Sequence, residues 1–151
     1  MKVASVFRPG SPFVAPNDSL REAAIKMRAS GQSCLPVLNG RAFTGIITER
    51  DLTEAVARGV RPAESSVVDY TNDGGVSVSL DDDVAMAEVK MLAIGCRNLP
   101  VLDRGSVVGT ISMRDVVLKT AVSAVRPTPV NATAVPSEWP EEAAPDADSE
   151  S

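Results

Sequence analysis

The stretch Gly45-Ile46-Ile47-Thr48-Glu49-Arg50-Asp51 returns sixty-four residues later as Gly109-Thr110-Ile111-Ser112-Met113-Arg114-Asp115. The same offset, without a gap, aligns Leu35-Pro36-Val37-Leu38 with Leu99-Pro100-Val101-Leu102. It also matches Val3 with Val67, Val14 with Val78, Asp18 with Asp82, Lys26 with Lys90, Met27 with Met91 and Gly31 with Gly95. Agreement over most of the chain is an internal repeat. A unit of about sixty residues makes only a marginal core alone, so 151 residues arranged this way read as one body built from two similar halves.

Each half carries the same order of signals. In the first, an apolar piece at 3–7 precedes the turn cluster Arg8-Pro9-Gly10-Ser11-Pro12 and a brief extended segment at Phe13-Val14-Ala15. Ser19 and Glu22 make a capping box, Leu20, Ala23, Ala24 and Met27 give the following helix one buried face, and Gly31 ends it. Residues 34–38 read as a strand whose Pro36 requires an edge or an irregularity. Asn39-Gly40 is a hairpin signal, 42–47 the returning strand, and 49–58 a helix stopped by Gly59. Residues 59–66 connect the halves.

The second half repeats the opening piece at 67–70, a turn at Asp73-Gly74-Gly75 and an extended segment at 76–78. A helix at 84–94 and strands at 99–102 and 107–111 follow, then a last helix with Leu118, Ala121, Val122 and Val125 as its buried stripe, ending at Arg126-Pro127. These signals divide the chain into units 1–62 and 63–125, followed by a segment 126–151. That segment is rich in proline, alanine and acid, and without apolar periodicity it cannot offset its own ordering entropy.

The formal charge of −5 is concentrated there: Arg126 stands against Glu138, Glu141, Glu142, Asp146, Asp148 and Glu150, leaving fourteen charges of each sign in residues 1–125. A neutral body has no basic stripe to neutralise a duplex, which argues against nucleic acid as the ligand. The absence of histidine removes the commonest general base and the commonest metal ligand, so neither a metal site nor catalysis is expected. Cys34 and Cys96 occupy non-equivalent repeat positions, and buried free thiols are favoured over a disulfide. No apolar segment follows Met1-Lys2 and no run of eighteen apolar residues occurs, so a cytoplasmic protein without a membrane span is expected.

Two βαββα units, each with Leu-Pro-Val on one strand and Gly-h-h-Thr/Ser-x-x-Asp at the end of the next, resemble the CBS domain, named after cystathionine β-synthase. The resemblance covers about residues 3–125. It implies an α/β module in which two repeats pack about a pseudo-twofold axis, a homodimer, and clefts that take adenosyl ligands such as AMP, ADP, ATP or S-adenosylmethionine. It assigns Asp51 and Asp115 to ribose hydroxyls, and Thr48 and Ser112 to phosphate or ribose oxygens.

The residues themselves leave two readings. A strand-to-helix junction presents unpaired N–H groups and a helix dipole to phosphate, and a carboxylate accepts from both hydroxyls of a cis-diol. Thr48 with Asp51 and Ser112 with Asp115 also have the spacing of a capping box, and the two roles can coexist. Arg50 and Arg114 lie in the first turn of their helices and can reach phosphate or remain solvated. Before Leu-Pro-Val stand Ser33-Cys34 in one repeat and Arg97-Asn98 in the other, whereas CBS domains often have a basic residue there. The asymmetry favours one nucleotide site, at Arg97, Ser112, Arg114 and Asp115. Asp81-Asp82-Asp83 reads as helix capping rather than a cation site.

The expected function is therefore a stand-alone regulatory module that binds an adenosyl ligand, requires no cofactor, and acts in trans on an unidentified partner protein. The alternative is a ligand-free scaffold that dimerises and presents its helices. No nucleophile with a base and no carboxylate pair supports an enzyme.

Overall fold

The computed structural model describes residues 1–73 and 75–124. In chain order the elements are β1 (Arg8–Pro9), α1 (Leu20–Ser30), β2 (Cys34–Asn39), β3 (Ala42–Thr48), α2 (Glu49–Ala57), β4 (Asn72–Asp73), β5 (Val78–Ser79), α3 (Val84–Ile94), β6 (Asn98–Asp103), β7 (Ser106–Ser112) and α4 (Met113–Ala124). Short 3-10 turns occupy Val3–Ser5, Pro62–Glu64 and Val67–Tyr70.

The capping signals explain where the first helices begin and end. Ser19 Oγ accepts from the Glu22 N–H and Glu22 Oε2 accepts from the Ser19 N–H, both at 3.1 Å. Gly31 and Gly95 close α1 and α3 with φ of +69° and +71°, a conformation that glycine adopts without strain. Leu20, Ala23 and Met27 are buried, but Ala24 is exposed. At 3.6 residues per turn the buried arc centres between Met27 and Ala23, which leaves Ala24 at its margin.

Each repeat's opening segment packs on the other repeat. The Leu20 N–H donates to Ser65 O, and its equivalent at the same offset, the Val84 N–H, donates to Met1 O, both at 2.9 Å. Likewise the Val67 N–H donates to Asp18 O at 2.8 Å and the Val3 N–H to Asp82 O at 2.9 Å. β1 pairs antiparallel with β7, and β4 with β3. One set of contacts, executed twice, is what packing about a pseudo-twofold axis requires. The sheets accordingly run β1-β7-β6-β5 and β2-β3-β4.

Gly109 shows why the recurrent motif opens on glycine. A Cβ there would stand 2.2 Å from Arg8 O and 2.7 Å from the Phe7 ring, so only glycine lets β1 cross β7 at this distance. Pro36 and Pro100 sit beside bulges, at Val37/Leu38 and Val101/Leu102. The first hairpin turns one residue later than Asn39-Gly40 suggests: Asn39 still pairs with Ala42, and Gly40-Arg41 make the turn. In the second, Arg104 and Gly105 both have positive φ, +49° and +81°, the handedness that matches strand twist.

Two cores result. One joins Val14, Leu20, Ala23, Met27, Leu35, Val37, Ile47, Ala55 and Val67; the other joins Val3, Val6, Val78, Val84, Ala87, Met91, Leu99, Val101, Ile111 and Val116. The last helix departs from expectation, because Val116 fills the core while Leu118 is 53% exposed and Ala121 lies on the surface. Among the described side chains of α4, those that meet the core, Met113 and Val116, belong to its first turn, and the side chain of Val122 lies outside the described ones. Val125, the segment 126–151 and Gly74 lie outside the described residues. Among the described residues, no helix is long and apolar enough to cross a membrane.

Candidate functional site

β7 runs into α4 with no intervening residue, so Ser112 delivers the strand's last side chain to the first turn of the helix. The Met113 N–H is taken by Arg97 O at 2.8 Å, as the Glu49 N–H is taken by Ser33 O at 2.9 Å in the first repeat. The helix start is thus pinned to the segment before Leu-Pro-Val in both halves. A cleft of about 790 Å³ opens in front of α4. Arg8, Arg97, Asn98, Thr110, Ser112, Arg114 and Asp115 are on its walls.

Within this cleft Ser112 Oγ accepts from the Asp115 N–H at 3.1 Å and donates its own proton to Asp115 Oδ2 at 2.7 Å. The other carboxylate oxygen, Oδ1, accepts from Arg8 Nη2 at 2.6 Å. Partial burial pushes the Asp115 carboxyl up; the Ser112 hydroxyl, the Arg8 guanidinium and the charge of Arg114 outweigh it and hold the group below the usual carboxylate range. Asp115 is therefore an anion at neutral pH. Three arginines face one carboxylate among the described residues of this wall.

The first repeat is built differently at the equivalent place. Thr48 and Asp51 form a complete capping box, with the Thr48 N–H donating to Asp51 Oδ2 at 2.9 Å and the Asp51 N–H to Thr48 Oγ1 at 3.1 Å. Here the carboxylate is engaged by its own backbone. The neighbouring cleft, about 460 Å³, is lined by Ser33, Glu49, Arg50, Thr53, Glu54, Ala57, Gly95 and Cys96, and Thr48 and Asp51 are not on its walls. Arg50 faces Glu49 and Glu54 there, the wrong balance for phosphate. Arg50 also lies over Gly95, where a Cβ would meet its Nη2 at 2.6 Å.

Of the seven residues singled out in the sequence, Arg97, Ser112, Arg114 and Asp115 come together around the larger cleft, whereas Arg50 lines the smaller one and Thr48 and Asp51 form a cap. Arg97 stands between the two clefts, with Nη2 3.5 Å from both carboxylate oxygens of Glu49. That exposed pair holds the guanidinium only weakly.

Sequence reasoning missed Arg8 and Asn98. Arg8 was legible only as part of a turn cluster, because the repeat offset identifies equivalents and not partners. Asn98 is buried and ties the repeats: its Oδ1 accepts from the Ser33 N–H at 2.8 Å and from Ser33 Oγ at 3.0 Å, and its Nδ2 donates to Cys34 O at 2.9 Å.

Comparison with known proteins defines the class. The CBS domain matches twice, at residues 3–58 and 67–120, and the chain belongs to that family as a tandem CBS pair. It is 33% identical over 105 residues to an uncharacterized protein of Methanopyrus kandleri, a match covering 68% of this chain and 54% of that protein, so the chain spans about half the length of this relative. A CBS domain-containing protein of Bacillus subtilis, YhcV, is 29% identical over 106 residues, covering 68% of this chain and 73% of the relative. Among solved structures, a CBS-domain containing protein from Agrobacterium tumefaciens superimposes with a TM-score of 0.71 at 27% identity, covering 80% and 99% of the two chains. The CBS domain pair of protein MJ0100, solved in complex with 5′-methylthioadenosine and S-adenosyl-L-methionine, superimposes with a TM-score of 0.68 at 21% identity, covering 82% and 98%.

Proposed function

We propose that this CBS pair is a regulatory module that binds one adenosyl ligand, AMP, ADP, ATP or S-adenosylmethionine, in the cleft before α4 and passes its occupancy to a partner protein. The observation that carries the reading is Asp115: an ionised carboxylate at a cleft wall, beside a helix start and three arginines. Its oxygens suit the two hydroxyls of a ribose, and the N-terminus of α4 with Arg97 and Arg114 suits a 5′-phosphate. The adenosyl ligands held by the MJ0100 pair support the same ligand class.

Arg8 adds a switch of partners. Its side chain is 71% exposed, so its bond to Asp115 is an accessible ion pair worth roughly 0–1 kcal/mol. An arriving nucleotide exchanges it: Arg8 turns to phosphate and Asp115 to ribose. Arg8→Ala is expected to weaken AMP binding several-fold and to leave adenosine binding unchanged or slightly tighter, because adenosine gains a freed Asp115 without losing a phosphate contact. Parallel titrations of the two ligands check this, and equal losses for both would contradict it.

Dimerisation belongs to the same proposal. Ala55 is buried in the first core with Leu52 packed against it, so Val56 is the one large apolar side chain of α2 free to meet a partner. The exposed apolar residues concentrate instead on α3 and α4, which pack side by side: Met86, Val89, Leu92, Val117 and Leu118. Leu92 is 74% exposed. The first repeat has Glu22, Arg28 and Glu54 where the second has Met86, Leu92 and Leu118. A second copy covering α3 and α4 in a symmetric contact removes this surface from water. Sedimentation at tens of micromolar, an illustrative range, is expected to give a dimer, and Leu92→Glu a monomer; a wild-type monomer would remove the assignment. This face also keeps the scaffold reading alive as the alternative.

The experiment for ligand binding is a thermal-shift series with AMP, ADP, ATP, S-adenosylmethionine and NAD. At ligand well above Kd the melting temperature rises with log concentration for a true binder. No response to any of the five favours the scaffold.

A further inference from the structure

We propose that Cys34 and Cys96 form a peroxide-responsive dithiol that closes to a disulfide between the two repeats, with Cys96 as the attacking sulfur and Cys34 as the resolving one. The two segments that carry them cross in antiparallel fashion at the pseudo-twofold axis. Asn98 Nδ2 meets Gln32 Oε1 at 3.3 Å, the Arg97 N–H meets Ser33 Oγ at 2.9 Å, and the next pair along the crossing is Cys96 with Cys34. Both are free thiols, packed with Ile46 in a small buried cluster apart from the two main cores. Asn98 fixes both the Ser33 N–H and Cys34 O, so the crossing is held by hydrogen bonds directly beside the thiols. Thiols packed together across such a crossing are placed for a disulfide, whose formation requires this kind of proximity.

The two thiols are not alike. Cys34 is 0% exposed; Cys96, 6% exposed, lies on the wall of the smaller cleft, where a molecule as small as hydrogen peroxide can reach it. The Cys34 thiol hydrogen-bonds to the Cys96 sulfur and, against burial and the charge of Asp51, with Ser33 and Arg50 assisting, holds Cys96 below the ordinary thiol range. The same hydrogen bond, then burial, then the charges of Cys96 and Asp51 push Cys34 well up. Cys96 is thus the more readily ionised of the two, and Cys34 the one that keeps its proton.

The chemistry balances with peroxide as the two-electron oxidant. The Cys96 thiolate attacks one peroxide oxygen, the O–O bond breaks, and Cys96 becomes a sulfenic acid as hydroxide leaves. Cys34 sulfur then attacks the Cys96 sulfur, the S–O bond breaks, and the Cys34 proton leaves with that oxygen as water. Two thiols are oxidised to a disulfide, and peroxide is reduced to two waters. The bridge fixes the crossing that carries Ser33 and Arg97, and so ties a redox state to a residue of the nucleotide cleft without depending on nucleotide binding.

The test is a non-reducing peptide map of the whole chain after peroxide treatment and alkylation. We expect a cross-linked pair of peptides bearing Cys34 and Cys96, formed within one chain at a rate independent of dilution. The melting temperature should rise by on the order of 10 °C, since the bridge closes a loop of about sixty residues, and should return on reduction. With dimedone present, Cys34→Ser should be labelled at Cys96, and Cys96→Ser should remain unlabelled at Cys34. Two alkylatable thiols after a treatment that oxidises the urea-unfolded chain would overturn the site, as would a cross-link only between chains. Labelling of Cys34 as fast as Cys96 would overturn the assigned roles. The wild-type map decides the first question even if a variant fails to fold.

Discussion

Asp115→Asn is expected to weaken AMP binding by about 10- to 150-fold while changing thermal stability little, and Asp51→Asn to do the reverse. The amide keeps the size of the carboxylate but exchanges one charged acceptor for a donor. Hydrogen bonds to charged groups contribute about 1.5–3 kcal/mol, which is that range of affinity. In the folded protein one Asp115 oxygen accepts from Ser112 and the other from the exposed Arg8, so the oxygen facing Arg8 is available to a diol. Asp51 is different: it accepts from the Thr48 N–H in a closed capping box and is on the wall of neither of the two clefts described. Its amide variant should lose some fraction of the roughly 0.5–2 kcal/mol typical of a lost cap, with AMP binding intact. Titration calorimetry and melting curves on both variants check the pair. Equal affinities in wild type and Asp115→Asn would sink the assignment, and a larger loss from Asp51→Asn would transfer the site to the first repeat.

Asn98→Ala is expected to cost about 3 kcal/mol of stability, at the upper end of the cost of leaving a buried polar group unpaired. Several groups lose their partner together: the Ser33 N–H and Oγ, and Cys34 O. These lie where the repeats cross, so the loss falls on the contact that makes two marginal units into one body. Asn98→Asp retains the acceptor for Ser33 but turns an oxygen toward Cys34 O, and should be at least as damaging. Urea unfolding with an unchanged m-value measures the effect. A cost below about 0.5 kcal/mol, that of an ordinary surface substitution, would show that the crossing is held by apolar packing alone.

Much of this architecture was readable in the sequence because local signals and the repeat agreed. The Ser19/Glu22 pair specifies the start of α1, the two Leu-Pro-Val runs specify strands with an irregular edge, and the offset of sixty-four residues fixes what in one half corresponds to what in the other. Correspondence is not contact. The offset sends Arg8 to Asn72 and Cys34 to Asn98, whereas folding brings Arg8 to Asp115 and Cys34 to Cys96. These meetings follow from the exchange of opening segments and from the antiparallel crossing, both of which are tertiary. Leu118 and Ala121 depart from the stripe expected of the last helix for a related reason: they have the right spacing for a core face, but the core is met by Met113 and Val116 in the first turn of α4, and Leu118 and Ala121 stay exposed. At the site, Ser112 and Thr48 look interchangeable in sequence, and only the paths of their protons separate a cap from a poised carboxylate.

A crystal structure of the protein grown with AMP tests the central claim most directly. The account predicts one AMP per chain, with its ribose hydroxyls on Asp115 and its phosphate near the start of α4, and with Arg8 moved from Asp115 to the phosphate. AMP at the Thr48–Asp51 junction, equal occupancy of both repeats, or AMP bound while the Arg8–Asp115 pair stays closed would contradict it.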